Sequence, residues 1–217
     1  MYNIRRIVTP FIPIYGMGVY LIVFTIAAIF YPGGSFNYPN ASGYSFFHNF
    51  LCDTMLPITP SGVENPARTI AVISHLVLSF TMIMFFYILP EIFSVQNRNT
   101  KIIRWFGMLT MSIFILMYTP YHDYIVTITG ILGTFALLPF FIELYRYSDK
   151  GLIRLAYLCY AFSIVVFFIF ETKLGYFYLP FLQKITFFLD AWWVIWVSLI
   201  VVRKRQQSLQ VQCVLNK

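Results

Sequence analysis

Apolar residues run through this chain in six long, unbroken stretches, with most polar residues between them. The runs cover Ile7–Phe30, Thr69–Leu89, Ile102–Tyr118, Ile125–Ile142, Leu152–Phe170 and Lys184–Val202. Each is close to the roughly 20 residues that a helix needs to cross the hydrocarbon layer. Continuous runs exclude a membrane β-barrel, whose strands alternate apolar and polar positions. The first run is about 24 residues long, too long for a signal-peptide core, and no small-residue cleavage motif follows it. It therefore reads as a retained helix, with Pro10 and Pro13 accommodated in its opening turns. The pattern predicts one all-α polytopic domain over 1–217: six transmembrane helices, a long first outer loop, and a short polar tail over 203–217.

Charge sets the orientation. Arg5, Arg6, Arg98, Lys101, Arg104, Arg146, Lys150, Arg154, Arg203, Lys204, Arg205 and Lys217 fall on one side, and only Arg68, Lys173 and Lys184 on the other. Basic residues are retained in the cytoplasm, so both termini are expected there. The net charge of +7 then needs no nucleic-acid partner, and no aromatic-flanked basic stripe suggests one. Charged residues make up 11% of the chain against about 25% in soluble domains, too few to build an ordinary water-facing surface. Cys52, Cys159 and Cys213 are too scattered for a disulfide framework.

The polar residues that remain are unevenly placed. His48, His75 and His122, with Asp53, Asp123, Glu171 and Asp190, all read onto the outer side. Ionisable groups in or near hydrocarbon are costly and mark a candidate site. Within the first loop, 45–55 carries a helical pattern. Phe46, Phe47, Phe50, Leu51 and Met55 share one face, and His48, Asn49, Cys52 and Asp53 share the other. A short interfacial helix would lay its phenylalanines in lipid and turn its polar face toward water or a central cavity. Asn65 and Pro66 form a start signal for the second span, with Arg68 following.

That start places His75 about six residues, or roughly 9 Å, inside the membrane. Counted from the inner edge, His75 lies at roughly 21 Å and Asp190 at roughly 18 Å, a shared depth at which the two can pair if their helices are neighbours. Three uses suit the set. His48, His75, His122 and Asp190 carry the donors for a zinc site, although no His-x-x-x-His or His-Glu-x-x-His spacing supports one. Ser74, His75 and Asp190 carry the residue types of a nucleophile triad, although adjacent Ser74 and His75 point to different parts of a helix. The third use is holding the headgroup of a lipid or other amphiphile, with His48, Asn49, Asp53, Asn65, Arg68, His75, His122, Asp123 and Asp190 as candidate contacts. A plain interhelical pair between His75 and Asp190 is the bland alternative. No cofactor is evident.

The loop also carries a resemblance. Tyr31-Pro32-Gly33-Gly34-Ser35, Gly43-Tyr44-Ser45-Phe46 and His48-Asn49-Phe50-Leu51-Cys52-Asp53, followed by Asn65-Pro66, resemble the first-loop motifs of the prokaryotic six-span family catalogued as domain of unknown function 998. Cys52 stands where that family has serine, and Thr54-Met55 where it has Leu-Gly. More distantly the fold resembles eukaryotic six-span families that include autophagy modulators and GPI-anchor remodelling proteins. The resemblance implies a multi-pass protein of the bacterial inner membrane and marks Asn49 and Asp53, but implies no activity. The sequence thus favours a protein that binds a lipid, an amphiphile or a membrane partner through an outer polar pocket. The rival is a lipid-modifying hydrolase, metal-dependent or not, acting through His75 and Asp190.

Overall fold

A computed structural model describes residues 7–215. Arg5, Arg6 and Lys217, used above for orientation, lie outside that range. Six α-helices follow one another: α1 (Ile12–Phe30), α2 (Arg68–Ile88), α3 (Arg98–Phe114), α4 (His122–Leu144), α5 (Lys150–Thr172) and α6 (Leu179–Leu215). All six, some with flanking 3₁₀ turns, are long and apolar enough to cross a membrane. Among the described residues there is no β-strand. The chain is a multi-pass, all-α membrane protein.

Local chemistry sets the helix boundaries. Asn97 caps α3 through a reciprocal box: its Oδ1 accepts from Thr100 N at 3.1 Å, and Thr100 Oγ1 accepts from Asn97 N at 2.9 Å. Asp149 Oδ1 caps α5 by accepting from Gly151 N and Leu152 N. Pro90 sits in the 3₁₀ turn Leu89–Ile92 that finishes α2. At its far end α5 stops on Lys173, at φ 60°, with Gly175 at φ 75° just beyond. The last helix begins at Leu179 and runs well past the apolar stretch that predicts it.

Helices α1 to α4 pack in chain order, α5 packs on α6, and α6 also touches α1 and α2. The backbones of α4 and α5 stand apart, and the two helices meet through side chains: Phe141 lies against Tyr157 and Tyr160 at 5.0 and 4.8 Å, and Thr127 Oγ1 donates to Glu171 Oε1 at 2.7 Å. One end of this bundle carries the tight core: Phe85, Ile88, Leu89, Ile92, Ile103, Leu144, Leu152, Val197 and Val201 are sealed against one another. This is also the basic end. Its acids are engaged there, Glu91 with Arg205 at 2.6 Å and Glu143 with Asn97 and Asn99 at 2.8 and 2.7 Å.

The other end is capped by the first loop, which differs from its sequence reading. Residues 45–55 do not form one helix; a turn is followed by a 3₁₀ turn, Cys52–Met55. The reason is visible in the hydrogen bonds. Asn49 Oδ1 accepts from Ser45 N at 2.9 Å, and Asp53 Oδ2 accepts from Phe50 N at 2.9 Å, so short polar side chains take backbone donors in place of a helical ladder. Phe46 and Phe47 remain exposed, as an interfacial position requires, while Phe50 and Met55 are buried against the bundle.

Candidate functional site

The first loop is held by a buried polar latch. Asn49 Nδ2 donates to Gly34 O at 2.6 Å and to Asp53 Oδ2 at 2.9 Å, and Tyr31 Oη donates to Gly34 O at 2.9 Å. Gly34 has φ +84°, and a Cβ there would lie 2.6 Å from Ser61 N, so glycine is required. From α6, Lys184 Nζ reaches up to donate to Asn49 O and to Pro180 O. Gln183 Oε1 accepts from Leu51 N at 3.0 Å. Asn65 leads the turn into α2, which starts at Arg68: its Oδ1 accepts from Ala67 N as a cap would, and its Nδ2 also ties the loop by donating to Thr54 O and Leu56 O. Burial raises the Asp53 carboxyl above the ordinary carboxylate range, against the opposing pull of Asn49, Phe50 N and Lys184. Burial likewise pushes up the Cys52 thiol, with Asp53 adding to the effect. Cys52 is thus a neutral thiol rather than a ready nucleophile.

Below this cap lies a cavity of about 540 Å³, within the roughly 300–1,000 Å³ of typical ligand pockets. It occupies the space among α3, α4, α5 and α6, on the side where the backbones of α4 and α5 stand apart. Three glycines line it: Gly107 on α3, where the Phe86 ring fills the space of a Cβ, and Gly130 and Gly133 on α4. At Gly130 the Phe167 ring of α5 lies so close that a Cβ would sit 2.5 Å from it, whereas a Cβ on Gly133 would meet only Thr110, at 3.9 Å. Thr110, Thr129, Thr134 and Thr186 line the walls, but each hydroxyl donates to a carbonyl of its own helix, so the walls behave as apolar surface.

Polar groups cluster at the loop end of the cavity. Cys52, Gln183 and His122 all line it. His122 Nδ1 lies 2.8 Å from Asp123 Oδ1 and donates to that carboxylate. Its Nε2 is buried without a partner. Gln183 bonds through its Oε1, and among the described residues the structure records no acceptor for its amide nitrogen.

The remaining sequence candidates disperse. His48 stacks between Tyr38 and Phe177, at 4.6 and 5.7 Å. Ser74 Oγ donates to Ala71 O at 2.8 Å within α2. His75 Nε2 bonds the Phe114 carbonyl at 2.9 Å, with the two rings 4.9 Å apart, and Phe114 forms part of the cavity wall. Asp190 instead neighbours the Cys159 thiol of α5. The pairing expected from shared depth therefore does not form. Helix α2 turns His75 toward α3, while α6 turns Asp190 toward α5. Arg68 is exposed at the start of α2. Among the described residues, no three His, Cys, Asp or Glu side chains are grouped so as to hold a metal ion.

Sequence reasoning missed Lys184, which it counted only as an exception to the charge rule. That exception was the signal: a lysine at the mouth of an otherwise apolar run, on the side poor in lysine, needs a buried acceptor. It also missed the cavity, for which the Gly130-x-x-Gly133 spacing on α4 was the trace. Compared with known proteins, the chain matches no family model, no curated protein and no solved structure.

Proposed function

We propose that this chain binds a single-chain lipid or similar amphiphile, with the tail in the cavity among α3–α6 and the headgroup near His122, Gln183 and Cys52. The observation that carries this reading is the cavity itself: apolar along its walls, polar at one end, and bordered by the α4–α5 seam, where the two backbones stand apart. The hydrolase reading keeps Ser74, His75 and Asp190 only as separate residues, each engaged elsewhere, so no observation favours it.

We further place the basic end in the cytoplasm, by the retention of lysine and arginine there, which puts the cavity mouth in the outer leaflet. Kinship with the prokaryotic six-span family, and with it a bacterial inner membrane, rests on the first-loop motifs from Tyr31 to Asp53.

Gly133→Leu tests the function. A Cβ at this position meets only Thr110 of α3, at 3.9 Å, and the side chain beyond it would occupy the cavity that Gly133 lines. Native mass spectrometry of the wild type, released gently from detergent, should show an amphiphile adduct that the variant lacks, at an unchanged thermal midpoint. Equal adducts in both chains, or none in either, would refute the reading.

A further inference from the structure

The basic end carries a second, independent lipid-facing feature. Helix α3 begins with Arg98, and steps of three and four residues then bring Lys101, Trp105 and Leu109 onto the same stripe. All four are exposed, Trp105 at 67% and Leu109 at 48%. The order along the stripe is two cations, an aromatic ring, then aliphatic surface, matching the order of headgroup, interface and hydrocarbon met by a helix entering a bilayer. Beside the stripe, Arg104 lies over the Tyr87 ring of α2 at 5.2 Å, and its Nε is buried without a partner.

The acids of this end are all engaged. Glu91 holds Arg205, Glu143 accepts from Asn97 and Asn99, and Asp149 caps α5. Among the described residues, Arg98, Lys101 and Arg104 make no ion pair with a carboxylate. Three cations gathered on one helix, two of them beside exposed aromatic surface, make a patch that attracts an anion.

We propose that Arg98, Lys101 and Arg104 form a binding site for the phosphate of an anionic phospholipid at the basic end, with an acyl chain running down past Trp105 and Leu109. Guanidinium groups match phosphate oxygens geometrically, and the lysine adds a mobile point charge. The Tyr87 ring holds Arg104 in place for this contact. The site is separate from the cavity among α3–α6, which opens toward the other end, and it stands whether or not that cavity holds a ligand.

The test uses the full chain in nanodiscs of equal phosphatidylglycerol and phosphatidylcholine, with the lipids that survive extraction read by native mass spectrometry. The wild type should retain phosphatidylglycerol preferentially. The K101Q/R104Q chain should lose that preference by roughly fivefold for each charge removed. An R146Q/K150Q chain, which removes two exposed cations from the α4–α5 connection at the same end, should keep it. If K101Q/R104Q purifies poorly, Lys101→Gln alone, an exposed change, should still show the single-charge loss. Unchanged retention in the α3 variants would overturn the proposal. So would an equal loss in R146Q/K150Q, which would mean diffuse charge, or displacement by added inorganic phosphate, which would mean an ion site rather than a lipid site.

Discussion

The two ends of this bundle are built by opposite means. At the basic end, large apolar side chains from five helices close on one another, charges stay at the rim, and even the buried Glu143 is satisfied by two asparagines. At the loop end a 540 Å³ space lies beneath the first loop, and a network of short polar side chains holds that loop in place. Of the six orphaned buried polar atoms among the described residues, four lie there (Tyr44 Oη, His48 Nδ1, Thr119 Oγ1 and His122 Nε2), while Arg104 Nε and Trp193 Nε1 lie toward the basic end. Buried polar groups without partners are uncommon and call for an explanation. The comparison teaches that one end supplies rigidity, so that the other can afford a hollow.

The sharpest way to break this comparison is to make the same truncation at both ends. Phe85 is fully buried in the basic-end core, against Phe86 and Trp193. Lipid tails are as apolar as phenylalanine, so in a bilayer its contribution comes from packing rather than from escape from water. The void left by Phe85→Ala still costs about 3 kcal/mol, the low end of the usual range for such changes. Phe167, whose ring fills the notch at Gly130, is only half-buried, so Phe167→Ala should cost less, about 1 kcal/mol. Thermal unfolding of the two variants in one detergent decides the matter; equal losses would mean that the hollow is as tightly packed as the core.

The latch should fall between these two. Asn49→Ala removes bonds to Gly34 O, Asp53 Oδ2 and Ser45 N. With a net value of about 1 kcal/mol per bond and water able to replace some of them, the expected loss is about 2 kcal/mol. It should be local. Limited proteolysis ought to cut within the first loop of the variant while the six helices stay intact. Cleavage spread over the whole chain would show that the latch supports the bundle and not just its cover.

How much of this was legible beforehand follows the same division. The helices were, because a bilayer accepts only continuous apolar segments whose backbone is satisfied internally, and such runs are plain in any sequence. The importance of Asn49 and Asp53 was visible as well, but their role was not. A helical spacing of phenylalanines over 46–55 suggests a helix, whereas the side chains of Asn49 and Asp53 take backbone donors that a helix would need, and no periodicity reports that competition. The depth argument for His75 and Asp190 failed for a related reason. Depth fixes one coordinate of a side chain on a helix, and rotation about the helix axis fixes the other. Only packing sets that rotation: it turned His75 to Phe114 of α3 and Asp190 to Cys159 of α5.

The smallest expected effect probes the electrostatics of the latch. Asp53 is a buried carboxyl whose burial raises it, and the groups facing it are Lys184 from α6, His122 from α4, and Tyr31, Tyr44 and Cys52 around the loop. A carboxyl raised in the folded state contributes stability that is fully present below its unfolded value of about 3.9 and is lost as pH rises through the folded value. The loop should therefore hold more tightly in mild acid than at neutral pH, the reverse of a carboxylate held by a strong surface ion pair. Asp53→Asn keeps the shape and removes the titration, so its loop protection should be flat across that range. Hydrogen exchange at the amides of 45–56, followed from acid to neutral pH in wild type and variant, reads this directly. If wild-type protection rises with pH, then Lys184 and the hydrogen bonds from Asn49 and Phe50 outweigh burial, and the loop is held by an ionised Asp53. In that case the charge of Lys184, held on the carbonyls of Asn49 and Pro180, supports an ionised Asp53 across the loop–α6 contact, and Lys184→Met should release the loop as completely as Asn49→Ala does.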